Sequence, residues 1–262
     1  MNHKIKHYGW QPDLPDHRDL EFAARPSLLK KLPAKMDLRK ACPDVYDQGD
    51  LGSCTANAIG AAFEFELLKQ NSKNDFMPSR LFIYYNERVI ENSVDTDSGA
   101  MIRDGIKSVN QQGVCPEKML PYIVSKFTQK PSATCYTNAK KHQVTSYHRV
   151  TRVLNQMKGC LADGYPFVFG FTVYESFESA TVAKTGVLNL PKKNEQTVGG
   201  HAVMAVGYDD KTKRFIVRNS WGTSWGQKGY FTMPYEYVLN AGLADDFWTI
   251  RLVEENAALK RK

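Results

Sequence analysis

The stretch that decides the fold is DQGDLGSCTANA, which runs from Asp47 to Ala58. Mostly apolar residues follow Cys54 to about Gln70, a pattern that predicts a buried helix beginning at the cysteine. A helix N-terminus presents unpaired N–H groups and a partial positive charge, so it stabilises an anion placed there. For a cysteine that anion is the thiolate, the nucleophilic form. Gln48, upstream, adds a side-chain N–H donor that could face whatever the sulfur attacks.

Composition and charge restrict the class of protein. The chain has 262 residues, of which 42% are hydrophobic and 24% are charged, as in a globular domain or two packed lobes. A net charge of +7 without a basic stripe or a recognised motif does not indicate nucleic-acid binding. No apolar run reaches the ~18 residues that a membrane span needs. We therefore expect a monomer that uses neither nucleic acid nor a membrane as its partner.

Cysteine usage bears on the compartment. The chain has five cysteines and no apolar segment of the signal-peptide type near its start. An odd cysteine count in a chain of this size argues against a disulfide framework. A cytoplasmic location is the default expectation, and export by a route without a signal peptide stays open.

The chain changes character near Lys141, from helical to strand-like patterns. Helices are predicted from Cys54, from Pro78-Ser79, over Ile102–Gln111 before Gly113, and over Val153–Ala162. Strands are predicted at Ser146–Val150, Phe167–Val173, His201–Tyr208, Phe215–Arg218, Tyr230–Met233 and Phe247–Val253. Helices followed by strands indicate an α+β protein with two lobes.

Two residues of the second half are candidate partners for the thiol. His201 begins an apolar strand, and Asn219 ends the next strand. The turn sequence from Gly207 to Lys211 predicts a hairpin, so the strands should be antiparallel neighbours that bring the two side chains together. A histidine held in this way accepts a thiol proton while the amide fixes its tautomer.

On these residues the chain resembles the papain-like cysteine peptidases, the family of papain and the cathepsins. That family has Gln-Gly-x-Cys-Gly-Ser-Cys-Trp around its nucleophile, where this chain has QGDLGSCT from Gln48 to Thr55. The string NSWGTSWGQKGY, from Asn219 to Tyr230, is the most specific match. Further matches are Gly113-Val114 before Pro121-Tyr122, and Leu32-Pro33 before Asp37-Leu38-Arg39.

The resemblance implies a role for each matching residue. Cys54 would be the nucleophile, His201 the general base and then acid, and Asn219 the orienting group. Gln48 and the backbone N–H of Cys54 would form the oxyanion hole. The implied reaction is peptide-bond hydrolysis through a thioester acyl-enzyme, without a metal or another cofactor.

The resemblance also implies how a peptide or protein substrate binds. The expected substrate-binding residues are Gly99, Ala100, Met101, Gly200 and Trp221. Gly99-Ala100 would pair with the substrate as an added strand, and Trp221 would cover the histidine–asparagine hydrogen bond. Ile102, Gly170 and Ala202, with Met101, fall near the S2 pocket of the family and suggest an apolar preference there.

The implied fold is α+β and papain-like, with a cleft between a helical lobe and an antiparallel β-barrel-like lobe. The peptidase domain is predicted over residues 32–252, with the helical lobe at about 42–141 and the β lobe at 142–252 plus 32–41. Residues 253–262 would form a basic tail. Residues 1–31 read as an extended arm, either packed on the surface or running backwards through the cleft as a short inhibitory prosegment.

The chain departs from the family at four residues, one of which is Ala100, in place of a second glycine whose backbone donor and acceptor it keeps. Leu51 and Asp97 stand where the family has two cysteines bridged to each other, and Thr55 replaces a tryptophan. These changes bear on secretion and packing but remove no catalytic group. Two other functions stay open: acyl transfer of the transglutaminase or ligase type on the same scaffold, and a latent protein that only binds peptides.

Overall fold

The structure is a computed structural model that describes residues 7–70 and 75–253. The predicted basic tail therefore lies, after Val253, outside the described residues. The helices are α1 (Pro26–Leu29), α2 (Cys54–Lys69), α3 (Arg80–Ile90), α4 (Ile102–Gln111), α5 (Ala133–Ala139), α6 (Leu154–Ala162), α7 (Ala180–Thr185) and α8 (Tyr235–Leu239). The strands are β1 (Trp10–Gln11), β2 (Glu21–Phe22), β3 (Lys35–Asp37), β4 (Ala100–Met101), β5 (Val144–Val150), β6 (Phe167–Tyr174), β7 (Thr197–Asp209), β8 (Arg214–Arg218), β9 (Tyr230–Pro234) and β10 (Ala244–Val253).

The central helix α2 is buried along nearly its whole length. Small residues at its start let it approach other backbone closely, and Ile59 and Phe63 join the same apolar cluster as Met204 of β7 and Trp248 of β10. The helix thus lies between the helical part of the chain and the sheet. Because it is packed on all sides rather than on one, it needs no amphipathic pattern, which agrees with the uniformly apolar sequence.

Two neighbouring helices have the ends that the sequence predicts. The Ser79 side chain accepts the backbone N–H of Phe82 and so caps α3 at its N-terminus. Beyond the last turn of α4, Gly113 has a φ of +73°, the left-handed conformation that ends many helices. These local signals confirm the predicted helix boundaries.

The main sheet has eight strands in the order β2-β5-β10-β6-β7-β8-β9, with β3 paired to β7 outside this path. Its neighbours are antiparallel except for β2 with β5. Over the described residues the sheet is not a closed barrel. All six predicted strands are present, and β7 pairs with β8 in the predicted hairpin.

Among the described helices, none has the length and apolar character needed to cross a bilayer.

The N-terminal arm, whose described part is residues 7–31, is packed on the body of the protein. Its strand β2 joins the main sheet beside β5, and Phe22 and Ala24 are buried in the core. Ala24 faces Gly159 of α6 so closely that a Cβ atom on Gly159 would lie 2.6 Å from the Cβ of Ala24. The second half of the arm therefore contributes to the hydrophobic core.

Several short elements lack a recognisable sequence signal. They are α5, α7, α8 and the strands β1 to β4, of which β1, β2 and β4 have two residues each. Periodicity cannot be read over so few residues. Their existence depends on the tertiary contacts that surround them.

Candidate active site

Cys54 is the first residue of α2 and is fully buried. Burial raises the pKa of its thiol to about 12, and this effect outweighs the backbone N–H groups of Ala202, Gly9 and Thr55, which face the sulfur and favour the thiolate. One of these donors, Gly9, belongs to the N-terminal arm. The thiol is therefore shielded from water in this conformation and is held in its protonated form.

His201 and Asn219 come together as the hairpin predicts. The His201 Nε2 lies 2.8 Å from the Asn219 Oδ1, and both side chains are buried. The same Oδ1 accepts the backbone N–H of Ser220 at 2.9 Å, which identifies it as the acceptor. The Nε2 of His201 therefore carries the hydrogen, and Nδ1 is left as the basic nitrogen of the neutral ring.

Aromatic side chains enclose the imidazole. The Trp221 ring lies 5.2 Å from the His201 ring, centroid to centroid, at an interplanar angle of 31°. Phe171 and Phe177 lie 5.8 Å and 6.2 Å from it. Such surroundings exclude water and strengthen the His201–Asn219 hydrogen bond. Phe177 was not predicted as a site residue, because it lies in a short turn that pattern analysis could not place.

Gln48 is fully buried and is held by hydrogen bonds at four places, one of which is its backbone carbonyl, which accepts the Tyr122 hydroxyl at 2.9 Å. Its Nε2 donates to the Leu51 carbonyl at 2.9 Å, and its Oε1 accepts the Ser220 hydroxyl at 2.6 Å. Its backbone N–H donates to the Ser220 carbonyl at 2.9 Å. The amide nitrogen has two hydrogens, so one remains for a ligand after the bond to Leu51. The turn before Cys54 is thereby tied to the segment that follows Asn219.

Asp97 holds the turn that carries the nucleophile. Its two carboxylate oxygens lie 3.1 Å and 3.0 Å from the backbone nitrogen of Gly52, and the Tyr84 hydroxyl donates to the same carboxylate. This aspartate stands where the resembling family has a bridged cysteine. Hydrogen bonds thus replace the covalent link between these two segments.

Thr55, directly after the nucleophile, has a buried acidic partner. Its hydroxyl donates to the Glu87 Oε1 of α3 at 2.6 Å, and both residues are fully buried. Burial raises the pKa of the Glu87 carboxyl well above its usual value. A neutral carboxylic acid therefore packs beneath the first turn of α2. It contacts Thr55, whose side chain is smaller than the tryptophan that the resembling family has at this position.

The N-terminal arm lies across this constellation. The Tyr8 ring meets the His201 ring edge-on at 5.7 Å, and its hydroxyl donates to Glu178 at 2.8 Å. Gly9 follows, with its carbonyl accepting the Ala100 N–H at 2.7 Å. Its neighbour Trp10 pairs with Ala100 as strands β1 and β4, which run parallel.

The predicted substrate-binding residues all lie along this short segment of the arm. Gly99 and Ala100 contact Gly9, and Met101 pairs with Gln11. Gly200 lies beneath Trp10, and the Trp221 ring lies 6.4 Å from the Tyr8 ring. Of the further residues expected near the S2 pocket, Gly170 contacts Trp10, while Ile102 and Ala202 are buried.

Trp10 fills a pocket beside His201. A Cβ atom on Gly170 would lie 1.9 Å from the indole, and one on Gly200 would lie 2.7 Å from it, so only glycine leaves room for the ring. At the inner end of the pocket, the indole N–H donates to Asp246 Oδ2 at 3.0 Å. Asp246 was not predicted. The pair Asp245-Asp246 beside the predicted apolar strand was the signal that could have identified it.

A buried charge cluster fixes the arm beyond Trp10. Asp13 accepts the Trp248 indole N–H at 2.9 Å and the Arg103 backbone N–H at 3.0 Å, while its own N–H donates to Asp246 at 2.8 Å. Arg149 lies 3.4 Å from Asp13 and 3.0 Å from Asp246. Burial and the nearby Asp246 raise the pKa of Asp13 to about 7.

Within the described residues, no group of three or more His, Cys, Asp or Glu side chains has the arrangement of a metal site. The cluster around Asp13 pairs its carboxylates with arginine and indole N–H groups instead.

Comparison with known proteins identifies relatives over nearly the whole chain. The model of the papain family cysteine protease domain matches residues 32–249. The crystal structure of xylellain, a cysteine protease from Xylella fastidiosa, superposes with a TM-score of 0.90 at 48% identity, over 94% of this chain and 96% of xylellain. An uncharacterized peptidase C1-like protein of Acanthamoeba polyphaga mimivirus is 47% identical over 95% of this chain and 88% of its own length.

More distant matches agree. Cysteine proteinase 2 of Entamoeba histolytica is 32% identical over 78% of this chain, which spans 64% of that relative. ProCathepsin B S9 from Trypanosoma congolense has the same fold, with a TM-score of 0.74 at 18% identity.

Proposed function

The chain belongs to the papain family of cysteine proteases, and we propose that Cys54, His201 and Asn219 are its nucleophile, general base and orienting group. The observation that carries this proposal is the His201–Asn219 hydrogen bond of 2.8 Å, placed beside a cysteine at a helix N-terminus. Ala202, the residue after His201, directs its backbone N–H at the Cys54 sulfur. The base and the nucleophile are thus held on adjoining pieces of backbone.

The arrangement supports a reaction in two steps. The thiol proton passes to Nδ1 of His201 as the Cys54 sulfur attacks the peptide carbonyl carbon. The imidazolium then protonates the leaving amine, and a thioester joins the acyl half of the substrate to Cys54. In the second step a water gives a proton to His201 and attacks the thioester, which releases the acid and restores the thiol.

Charge on the carbonyl oxygen needs donors in both steps. We assign these to the backbone N–H of Cys54 and the remaining N–H of the Gln48 amide, each typically contributing about 3 kcal/mol to the transition state. The bonds of Gln48 to Leu51 and Ser220 fix its amide before the substrate arrives. Asn219 keeps the hydrogen of His201 on Nε2, and Trp221 shields that bond from water.

We also propose that the N-terminal arm inhibits the enzyme in this conformation. Residues 8–11 occupy the groove formed by Gly99–Met101 on one side and Gly200 on the other. The backbone donor and acceptor of this groove are those that a substrate would pair with, and Gly9 uses the N–H of Ala100. A substrate therefore competes with the arm for the same backbone groups.

We propose that the protein is a monomer whose partner is a peptide or protein substrate, and that it binds neither nucleic acid nor a membrane. If the purified chain sediments as a dimer, the proposed monomer is wrong.

Labelling with a peptide epoxide that alkylates thiols tests the catalytic roles. Wild type should be labelled at Cys54, Cys54→Ala should not be labelled, and His201→Ala should lose labelling. The matched control is His148→Ala, which replaces a half-buried histidine on β5 and should be labelled like wild type. Equal labelling of Cys42, the most exposed of the five thiols, would contradict a selectively activated Cys54.

A further inference from the structure

The pocket that Trp10 fills ends at the carboxylate of Asp246, which the backbone holds in an uncommon conformation. Asp246 is only 2% exposed and has a φ of +58°, at an irregularity in the pairing of β10 with β6. Non-glycine residues pay a conformational cost at positive φ, although aspartate and asparagine tolerate it best. Bulges of this kind redirect side chains next to active sites. Here the irregularity turns the carboxylate into the pocket.

The hydrogen bonds of Asp246 set the first requirement for a ligand of this pocket, which is a hydrogen-bond donor that replaces those of the arm. Its Oδ2 accepts the Trp10 indole N–H at 3.0 Å and the Asp13 backbone N–H at 2.8 Å. Its Oδ1 accepts Arg149 at 3.0 Å. When the arm leaves, Oδ2 loses both of its donors while Oδ1 keeps Arg149. An acceptor in an apolar site strongly disfavours a ligand that cannot pair with it.

The shape of the pocket sets the second requirement. Gly170 and Gly200 admit the face of a ring, since a Cβ atom at either position would overlap Trp10. The charge balance sets the third requirement, which is that the ligand side chain is neutral. Arg149 already neutralises Asp246, and Arg103 loses its partner Asp19 when the arm leaves. A cationic side chain would therefore enter a site with no surplus negative charge.

We propose that Asp246 makes this pocket select a flat substrate side chain with a neutral N–H at its far end, as in tryptophan, over one of equal size without a donor. The proposal rests on the proposed function, because it takes the groove occupied by the arm as the substrate groove. It sharpens the purely apolar preference that the neighbouring residues suggest. Asp246 acts as a specificity-determining residue and takes no part in the bond cleavage.

The test uses two peptide substrates that differ in one atom group. One has tryptophan two residues before the scissile bond, and the other has 3-benzothienylalanine, in which sulfur replaces the indole N–H. The enzyme is the full-length chain with Gly9→Val and Trp10→Ala, so that residues 8–11 cannot occupy the groove. The ratio of kcat/KM, tryptophan over benzothienylalanine, should be about tenfold to a hundredfold.

Variants of Asp246 assign the ratio to its carboxylate. Asp246→Gly tolerates the positive φ, removes the acceptor and should bring the ratio to about one. Asp246→Asn also tolerates that φ, but its single oxygen pairs with Arg149 and its NH2 group then faces the pocket, so the preference for tryptophan should be lost as well. Asp245→Asn is the matched control, because it removes the same charge from the adjacent residue, whose polar partners are Arg149, Arg152 and the Asp246 N–H rather than Trp10.

The outcomes separate the two proposals. A ratio near one in the parent enzyme overturns the selectivity of Asp246, whether or not Asp246→Gly folds. An arginine substrate cleaved faster than the tryptophan substrate overturns the requirement for a neutral donor. Unchanged activity of the parent relative to wild type overturns inhibition by the arm, while the ratio is still measured on the remaining activity. Failure to cleave any of these peptides overturns the catalytic assignment and this proposal together.

Discussion

Gly9 and Gly52 are in such close contact that a Cβ atom on Gly9 would lie 1.6 Å from the Gly52 carbonyl oxygen. Gly52 lies two residues before Cys54, so the arm touches the turn that presents the nucleophile. Any side chain at position 9 must push the arm out of the groove or distort that turn. This contact offers a single-residue means of displacing the arm from the full-length chain.

The first prediction concerns release of the arm. Gly9→Val should raise kcat/KM for a small peptide substrate at least tenfold, because residues 8–11 can no longer occupy the groove. This change is gentler than removing residues 1–31, since Phe22 and Ala24 belong to the core. Gly242→Val is the control: that glycine lies in an exposed turn, where a Cβ atom would meet only the Asn240 side chain at 3.4 Å. Equal activities of the two variants would contradict inhibition by the arm.

The second prediction concerns the thiol under the arm. Burial raises the pKa of Cys54 to about 12, so in wild type the alkylation rate should keep rising with pH up to at least pH 10. In Gly9→Val, water reaches the site and the thiolate–imidazolium pair with His201 can form. Its alkylation rate should instead level off near neutral pH and fall in His201→Ala. Superimposable pH profiles for wild type and Gly9→Val would refute a shielding role of the arm.

The third prediction concerns the pH dependence of arm docking. The pKa of Asp13 is about 7 when docked and returns to its ordinary value, about 4, when the arm is released. Docking therefore takes up a proton, so it is strongest below about pH 4 and is lost as the pH rises towards 7. The amide protection factors of residues 8–13, measured by hydrogen exchange, should fall over this range by roughly two to three decades.

Other charged groups face Asp13 or the neighbouring part of the arm. They are Asp16 and Asp19 on the arm, Glu91 directly after α3, Arg103, Asp104 and Lys107 on α4, Arg149 on β5, and Asp245 and Asp246 on β10. Asp13→Asn, which cannot lose a proton, should show a flatter profile. If the protection in Asp13→Asn depends on pH as steeply as in wild type, another group controls docking.

The fourth prediction concerns Asp97. Asp97→Ala removes the acceptor of the Gly52 N–H and of the Tyr84 hydroxyl, and lost hydrogen bonds to a charged group cost about 1.5–3 kcal/mol each. The variant should unfold several degrees lower and should label Cys54 more slowly with the peptide epoxide, because the turn before the nucleophile is less ordered. Asp95→Ala, an exposed aspartate two residues earlier, should match wild type in both measurements.

The fifth prediction concerns Glu87. Its pKa is raised well above the usual value, so the stabilisation from its neutral form is fully present below the unfolded pKa, about 4, and is lost as pH rises through the folded value. Glu87→Gln keeps the acceptor for Thr55 and cannot ionise. Urea midpoints should agree for wild type and Glu87→Gln near pH 4, and Glu87→Gln should be more stable at alkaline pH. A parallel pair of curves, as expected for the exposed Glu236→Gln, would show that Glu87 does not titrate with unfolding.

The parts of the site that sequence patterns predict are those built from local signals. The helix that begins at Cys54, the cap at Ser79 and the hairpin between His201 and Asn219 each depend on residues close in the chain. Pairing of β7 with β8 then brings the two side chains to 2.8 Å, as predicted. The helix N-terminus and the hairpin already suggest the roles of Cys54, His201 and Asn219, and the resemblance to a family assigns the same roles residue by residue.

The parts that patterns miss depend on contacts distant in sequence. Trp10 and Asp246 are 236 positions apart, and nothing near either residue indicates the other. Their contact requires β10 to be irregular at Asp246 and the arm to run parallel to β4, and neither is encoded in periodicity. The buried pair of Thr55 and Glu87 is hidden for a similar reason, since a glutamate on a helix normally predicts a solvated face.

The hydrogen bonds from Asp97 to the Gly52 backbone have a practical consequence for handling the enzyme. A cysteine nucleophile must be kept reduced, and thiol reductants that do this also open disulfides. In this chain the tether of the nucleophile turn contains no sulfur, so the reductant that preserves Cys54 leaves the tether untouched. Activity should therefore increase with reductant until Cys54 is fully reduced and then stay constant, with no decline at high concentration.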